Sequence, residues 1–342
     1  MENLKSILLV KMSSIGDVVM STPVAESVRK AYPDAYIGWL VEEKCRDVVI
    51  GNPYLDEVFV WSRTSGIRSL RSAREVIRRM RARRFDVAID FQGLAKSAIM
   101  TYLSGAALRI GYADCKEHNT FLYNKTVECG VWPHRMRCHR LLLEPIGIQM
   151  ESVSPNMLIP LSDEHTDRSL ELLIAHGVLD RDNIVVLVPA TTFAFKHWIE
   201  DRWASVADEL WTRLGLIPVF LGGKGDVELI ERIRARAKTR TVSLVGQTTW
   251  AVAAATAKRA RLTVAVDTGL MHSSVAVGTP TIALYGPTPE WKEHVSRPNF
   301  KLLMKEFPCA PCRPRRACEG FDCMKAITVE DVVAAAEEIL IS

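Results

Sequence analysis

The sequence predicts an α/β protein built from two doubly wound, parallel-sheet domains. Short apolar, β-branched runs alternate with helix-length amphipathic segments along the chain, as expected of strands covered on both faces by crossover helices. That alternation occurs twice, on either side of a polar, proline-containing tract at 150–182. At 342 residues, the chain has the length of two domains or one large α/β unit.

The first strand falls at 6–12 and ends in the turn Ser13-Ser14-Ile15-Gly16-Asp17. A helix follows, with Val24, Val28 and Ala31 at i, i+4 and i+7. Pro23 should kink that helix or mark a late start. Further strands are expected at 36–41, 57–61 and 85–91, and a helix at 94–103. The second half repeats the scheme, with strands at 184–188, 217–221, 241–245, 262–266 and 281–285. Helices are expected at 201–214, 226–237, 249–259 and 269–277, with a short one at 169–176. The resulting division is an N-terminal domain at 1–165, a second domain at 166–327, and a terminal helix within 328–342 that returns near the domain junction. Open parallel sheets bind ligands at the carboxyl ends of their strands, so two such domains facing each other would line a cleft with strand-to-helix turns.

Composition removes several classes. A chain 48% hydrophobic and 25% charged can bury a sizeable core, which excludes disorder and collagen. No apolar stretch approaches the roughly 18 residues a membrane span needs. The first eleven residues lack the cleavage site of a signal peptide, so the expected compartment is the cytoplasm. Net charge is +4, yet 63–84 alone holds nine arginines against Glu75, leaving the rest of the chain net acidic. Such local basicity argues against nucleic acid as partner and for a local anionic one. A solvated helix face, with Leu70, Ile77 and Met80 as its inner stripe, accounts for the pattern equally well.

Of eight cysteines, Cys45, Cys115, Cys129 and Cys138 are scattered and read as buried or idle thiols. Cys309, Cys312, Cys318 and Cys323 are spaced C-x2-C-x5-C-x4-C in a proline- and glycine-containing stretch. Four thiols so placed suit a closed, structural zinc or iron site. Two disulfides or four free thiols are the alternatives.

Three turns carry chemistry. The first strand lacks the spaced glycines of a dinucleotide fingerprint, which disfavours a nicotinamide or flavin enzyme. It offers instead Ser13, Ser14, Gly16 and the carboxylate of Asp17, which is either a reactive group or a helix cap. The second turn, Asp267-Thr268-Gly269, leads from a buried strand into a helix, whose N–H groups and positive end suit a diphosphate. His272 lies one turn deeper, as ligand-binding residue or core histidine. The third places Thr191, Thr192 and Lys196 after the first strand of the second domain, where Lys196 neutralises a phosphate or simply meets solvent.

The turn at Asp17 with its preceding Val10-Lys11-Met12, the phrase Asp90-Phe91-Gln92-Gly93-Leu94-Ala95-Lys96-Ser97-Ala98, the Ala190-Thr191-Thr192 and Lys196-His197-Trp198 pieces, and Asp267-Thr268-Gly269-Leu270-Met271-His272 occur in an order that resembles the bacterial ADP-heptose lipopolysaccharide heptosyltransferases. These are GT-B glycosyltransferases, and the resemblance covers nearly the whole chain. The phrase around Lys96 is closer to members that add the first heptose to Kdo, whereas 133–138 departs from the family's pattern. The resemblance implies an inverting transfer from ADP-heptose to Kdo of a lipid A acceptor. Asp17 would be the general base, and Lys196 would offset charge on the departing ADP. Ser14, Gly16, Thr191, Thr192, Asp267, Thr268, Gly269 and His272 would complete the donor site, with no catalytic cofactor. Arg63, Arg68 and Arg71 would take the acidic acceptor sugar while neighbouring arginines meet the cytoplasmic face of the inner membrane. The competing functions are transfer to a related envelope glycan or protein, a nucleotide-sugar epimerase or hydrolase on the same fold, and a non-catalytic carbohydrate or lipid binder.

Overall fold

The computed structural model describes residues 4–63, 67–115, 117–130, 135–286, 297–309 and 320–341. The chain divides into two units, Met1–Pro160 and Leu161–Ser342. The division precedes the expected boundary at 165/166. The Ser162 hydroxyl accepts from the His165 N–H and caps a helix at Asp163–Ala175, so a cut at 165/166 would break that helix's first turn.

The first unit runs β1 (Ser6–Val10), α1 (Ile15–Ser21), α2 (Pro23–Ala31), β2 (Tyr36–Glu42), β3 (Glu57–Trp61), α3 (Ile67–Arg83), β4 (Val87–Asp90), α4 (Ala95–Leu103), β5 (Leu108–Tyr112), β6 (Lys125–Val127) and α5 (Arg135–Leu141). The second runs α6 (Asp163–Ala175), β7 (Ile184–Val188), α7 (Glu200–Leu214), β8 (Ile217–Phe220), α8 (Val227–Arg234), β9 (Val242–Ser243), α9 (Trp250–Arg259), β10 (Leu262–Val266), α10 (Gly269–Ala276), β11 (Thr281–Tyr285), β12 (Phe300–Met304), α11 (Asp322–Lys325) and α12 (Val329–Ile341). Pro23 resolves the first helix into two, because at the first position of α2 its missing N–H and fixed φ are favourable.

Among the described residues both sheets have six strands, in the orders β3-β2-β1-β4-β5-β6 and β12-β11-β10-β7-β8-β9, and every described pairing is parallel. Each order reverses direction once, between β1 and β4 and between β7 and β10. Those reversals open a crevice at the strands' carboxyl ends, where such sheets bind ligands. The central strands β1, β4, β7, β10 and β11 are buried throughout, as strands with helices on both faces must be.

In the first unit, Leu8, Val10, Phe59, Met80, Phe85 and Met100 pack α3 and α4 onto the sheet. In the second, Leu187, Trp203, Leu210, Phe220, Val264 and Met324 join α7, α11 and the sheet. The terminal helix α12 packs against α7, β11 and β12 of the second unit. No helix among the described residues is long and apolar enough to cross a membrane.

The cysteines correct one expectation. Cys129 and Cys138 are not idle thiols: the chain after β6 and the helix α5 bring them together as a disulfide, with Cα atoms 5.5 Å apart. Cys45 is buried and burial pushes its thiol up to about 12, so it stays protonated. Of the expected metal cluster, Cys312 and Cys318 lie outside the described residues, as do Trp132, Pro133 and His134. Cys309 is exposed and Cys323 is buried in α11. Among the described residues no group of three or more His, Cys, Asp or Glu side chains is placed to hold a metal.

Candidate active site

In the first unit the reversal lies between β1 and β4, and the turns that follow these strands are stitched together. The Gln92 side-chain carbonyl accepts from the Met12 and Ser13 N–H groups at 3.3 and 3.1 Å. The buried Lys11 ammonium donates to the Phe91 carbonyl at 3.1 Å. Beneath Gln92, the fully buried Asp90 accepts from the Gln92 N–H at 2.8 Å, the Gly93 N–H at 3.1 Å and the Tyr123 hydroxyl at 2.8 Å. Burial raises the Asp90 carboxyl despite these bonds. Gly93 has φ +70, a conformation that L side chains rarely adopt, and this lets the chain turn directly off the strand.

On this platform α1 begins at Ile15, and its second and third residues are Gly16 and Asp17. Asp17 sits in the first helical turn, and the exposed Ser14 hydroxyl donates to its Oδ2 at 2.9 Å. Asp17 is not the cap residue, since Ser14 holds that position and no side chain caps the helix; its carboxylate lies inside the first turn, where negative charge is favourable, and is partly exposed at the sheet's ligand-binding edge.

Beside the turn is a cluster that the motif reading missed. Glu42 ends β2 and is buried. Lys96 of α4 donates to Glu42 at 2.5 Å and to the Ser13 hydroxyl at 3.0 Å. Lys44 pairs with the same carboxylate at 3.0 Å, and Arg63 lies 3.8 Å from it. Burial alone would raise the Glu42 carboxyl, but the hydrogen bonds from Lys96 and Lys44 outweigh it and hold the group below the ordinary carboxylate range. Three cations around one carboxylate leave an excess of positive charge next to Asp17, suited to an acidic ligand. A signal existed in the sequence, because an acid closing a wholly apolar strand requires a cationic partner. Of the three expected acceptor arginines, Arg63 reaches this cluster. Arg68 and Arg71 sit exposed on α3.

In the second unit the reversal lies between β7 and β10. The turn after β7 carries Thr191 and Lys196, and the turn after β10 carries Asp267. They meet: the Thr191 hydroxyl donates to the Asp267 carbonyl at 3.0 Å, and the Lys196 ammonium donates to Asp267 Oδ2 at 2.6 Å. Both side chains of this ion pair are largely removed from water, at 13% and 5% exposure. His272 Nε2 lies 3.9 Å from the other Asp267 oxygen, and the buried Tyr285 hydroxyl is pushed up by burial and by the same carboxylate. The Lys196 segment is anchored from below, since the Trp198 indole donates to the Ile327 carbonyl at 3.1 Å and packs edge-on against Trp203.

Thr268 precedes α10 with extended backbone and makes no side-chain cap. The N–H groups of the first turn of α10 therefore point from a positive helix end beside Lys196. Thr191, Lys196, Asp267, Thr268, Gly269 and His272 thus form one locus, while Thr192 is exposed at its edge. The arrangement provides a cation and backbone donors for a diphosphate, with a buried carboxylate that orients the cation.

Two doubly wound sheets with polar groups gathered at both reversal points make this a GT-B fold, the architecture of solved heptosyltransferases. The family model for glycosyltransferase family 9 (heptosyltransferase) matches residues 73–320, and the chain belongs to that family. It is an enzyme of the sugar-transferring class. The chain is 28% identical over 325 residues to lipopolysaccharide heptosyltransferase 1 of Pseudomonas aeruginosa, covering 90% of this chain and 85% of that one. A family 9 glycosyltransferase structure from Veillonella parvula superposes with a TM-score of 0.86 at 24% identity, covering 98% and 97% of the two chains. The structure of E. coli ADP-heptose lipopolysaccharide heptosyltransferase II gives 0.80 at 21% identity, covering 98% of each.

Proposed function

We propose that the chain transfers heptose from ADP-heptose to Kdo of a lipid A-linked lipopolysaccharide inner core, with inversion at the anomeric carbon. The observation that carries this reading is the pair of loci: Asp17 beside an excess of cations in the first unit, and the Lys196–Asp267 pair beside the N-terminus of α10 in the second. The name of the Pseudomonas aeruginosa relative supports the heptosyl-transfer and lipopolysaccharide parts of the assignment.

In the proposed step Asp17 takes the proton of the acceptor hydroxyl as its oxygen bonds to the anomeric carbon and the bond to the diphosphate breaks. The negative charge gained by ADP is met by Lys196 and by the Thr268 and Gly269 N–H groups, a fixed electrostatic device that needs no catalytic metal in this scheme. Ser14 and Gly16 shape the turn around the reacting groups. Thr191, Thr192, Asp267 and His272 complete the donor pocket. Arg63, with Lys44 and Lys96 beside it, takes the acidic sugar, and Arg68 and Arg71 extend the cationic surface. The enzyme works on the cytoplasmic face of the inner membrane as a peripheral protein.

The test is incubation with ADP-heptose and Kdo2-lipid A followed by mass spectrometry. A single added heptose supports the assignment. Free heptose or an epimer, formed without acceptor, would replace it with a hydrolase or epimerase. A structural zinc or iron on Cys309, Cys312, Cys318 and Cys323 belongs to the same proposal, on the strength of the opening C-x2-C spacing. Elemental analysis of protein purified without chelator checks it: about one metal equivalent supports the site, and metal-free protein with four titratable thiols removes it.

A further inference from the structure

The first unit gathers its exposed apolar side chains in one place. Among its described residues five large hydrophobic side chains are exposed, and four of them, Leu70, Ile99, Tyr102 and Phe121, lie on α3, on α4 or on the short turn Thr120–Leu122 that packs against α4. Leu70 is 71% exposed and Phe121 80%. Between α3 and α4 runs an open groove of about 420 Å³, walled by Trp61, Leu70, Ile77 and Ile99 and bordered by Arg74 and Lys96.

The arginines of α3 fall into two sets. Arg78 pairs with Glu75, while Arg79 and Arg83 pair with Glu57, and the last two also stack on Phe59 and Tyr36. Arg68, Arg71, Arg74 and Arg81 are exposed and have no acidic partner among the described residues. Arg109 lies over the Tyr102 ring at 5.4 Å. Arg74 and the Trp61 ring line the groove itself, while Arg68, Arg71 and Arg81 lie elsewhere on the same helix and Tyr102 is exposed on α4. Such a combination suits the boundary of an anionic bilayer, where apolar side chains enter the acyl region and arginine and tyrosine stay at headgroup level.

We propose that the α3–α4 face and the adjoining Phe121 turn insert into an anionic lipid surface, and that the groove between the two helices receives one acyl chain. This deepens the membrane part of the reading above and rests on it, adding apolar insertion to headgroup attraction. The location serves the chemistry. Lys96 borders the groove, and its ammonium is bonded to Glu42 at the end of β2 and to Ser13 in the turn that leads to Asp17. A chain seated there leaves the headgroup side toward the candidate acceptor locus.

Vesicles of phosphatidylcholine mixed with phosphatidylglycerol test this without donor or acceptor. Wild-type protein should bind them in a co-sedimentation assay, and part of the binding should survive about 0.5 M salt, where exposed charges are strongly screened. The double variant L70E/I99E should bind at least about tenfold more weakly and lose the salt-resistant part. The milder L70S/Y102S pair should move in the same direction. Both pairs lie at exposed positions and should transfer heptose normally to a soluble, deacylated acceptor, which confirms their folding. Brominated acyl chains should quench wild-type tryptophan fluorescence, and W61F should lose most of that quenching. Equal binding by the variants, complete release of wild type by salt, or quenching unchanged in W61F would each overturn the proposal. Loss of heptose transfer by every form, with vesicle binding intact, would overturn the enzymatic reading and leave the surface standing.

Discussion

Replacing Lys196 with alanine separates what the Lys196–Asp267 pair does for the fold from what it does for the reaction. The two groups meet at 2.6 Å with little solvent access, so the variant leaves a buried carboxylate without its cation. Breaking such a pair from one side typically destabilises by about 3–5 kcal/mol. For a unit of this size, roughly 2–4 °C of Tm accompany each kcal/mol, so the transition of the second unit should fall by about 6–20 °C. Turnover should fall by on the order of 10²–10³, the usual consequence of removing one group that stabilises developing charge. The double variant K196A/D267A removes both charges and should recover most of the Tm, since joint replacement of a buried pair is often near neutral. It should not recover turnover, because the cation proposed to face ADP is still missing. Differential scanning calorimetry and steady-state kinetics on the three proteins decide the matter. Wild-type kcat/KM and Tm in K196A would show that the lysine points to solvent. Recovery of turnover in the double variant would show that the pair is structural only.

Three further outcomes are expected. D17A should lose on the order of 10²–10⁴ in kcat while binding ADP as well as wild type, measured by stopped-flow kinetics and calorimetric titration, because the role proposed for Asp17 is proton removal. If more than about a tenth of the turnover survived, Asp17 would serve only as a favourable charge at the helix N-terminus. Glu42 has a folded pKa below its ordinary value of 4.5, so the stability it contributes is complete above that value and is lost as pH falls through the lowered one. E42Q should accordingly flatten the acid side of the stability profile in urea titrations below about pH 4.5. An added Cβ at Gly111 would collide with the Tyr123 ring, whose hydroxyl is bonded to Asp90. G111A should cost about 1–3 kcal/mol in chemical unfolding and lower kcat/KM through the platform under Asp17.

The strand-to-helix turns were legible because each is local. An apolar run ending in Ser-Ser-x-Gly-Asp or Asp-Thr-Gly places its polar residues at a strand's carboxyl end through chain direction alone. The helices at 95–103, 200–214, 250–259 and 269–276 were legible through their periodicity. Three strands were less so: β5, next to the sheet edge, and the edge strands β6 and β12 are short or only partly buried, and their amphipathic residues do not stand out from loops. The helix α6 was also underestimated, because its first two turns, Asp163 to Ser169, are polar and its start is set by the Ser162 cap.

Pairings between residues far apart in sequence belong to the tertiary structure. Lys196 and Asp267 each looked like a ligand-binding residue, but their mutual bond depends on β7 and β10 being neighbours in the sheet. Glu42, Lys96 and Ser13 meet only because β2, β1 and β4 lie side by side, and Cys129 meets Cys138 only because α5 folds back toward the end of β6. Side-chain periodicity and turn chemistry act over a few residues and are written in the chain itself. Which turns share one edge of a sheet is set by strand order, a collective outcome of burying all the apolar faces at once, and so which charges become partners could be decided only in the folded protein.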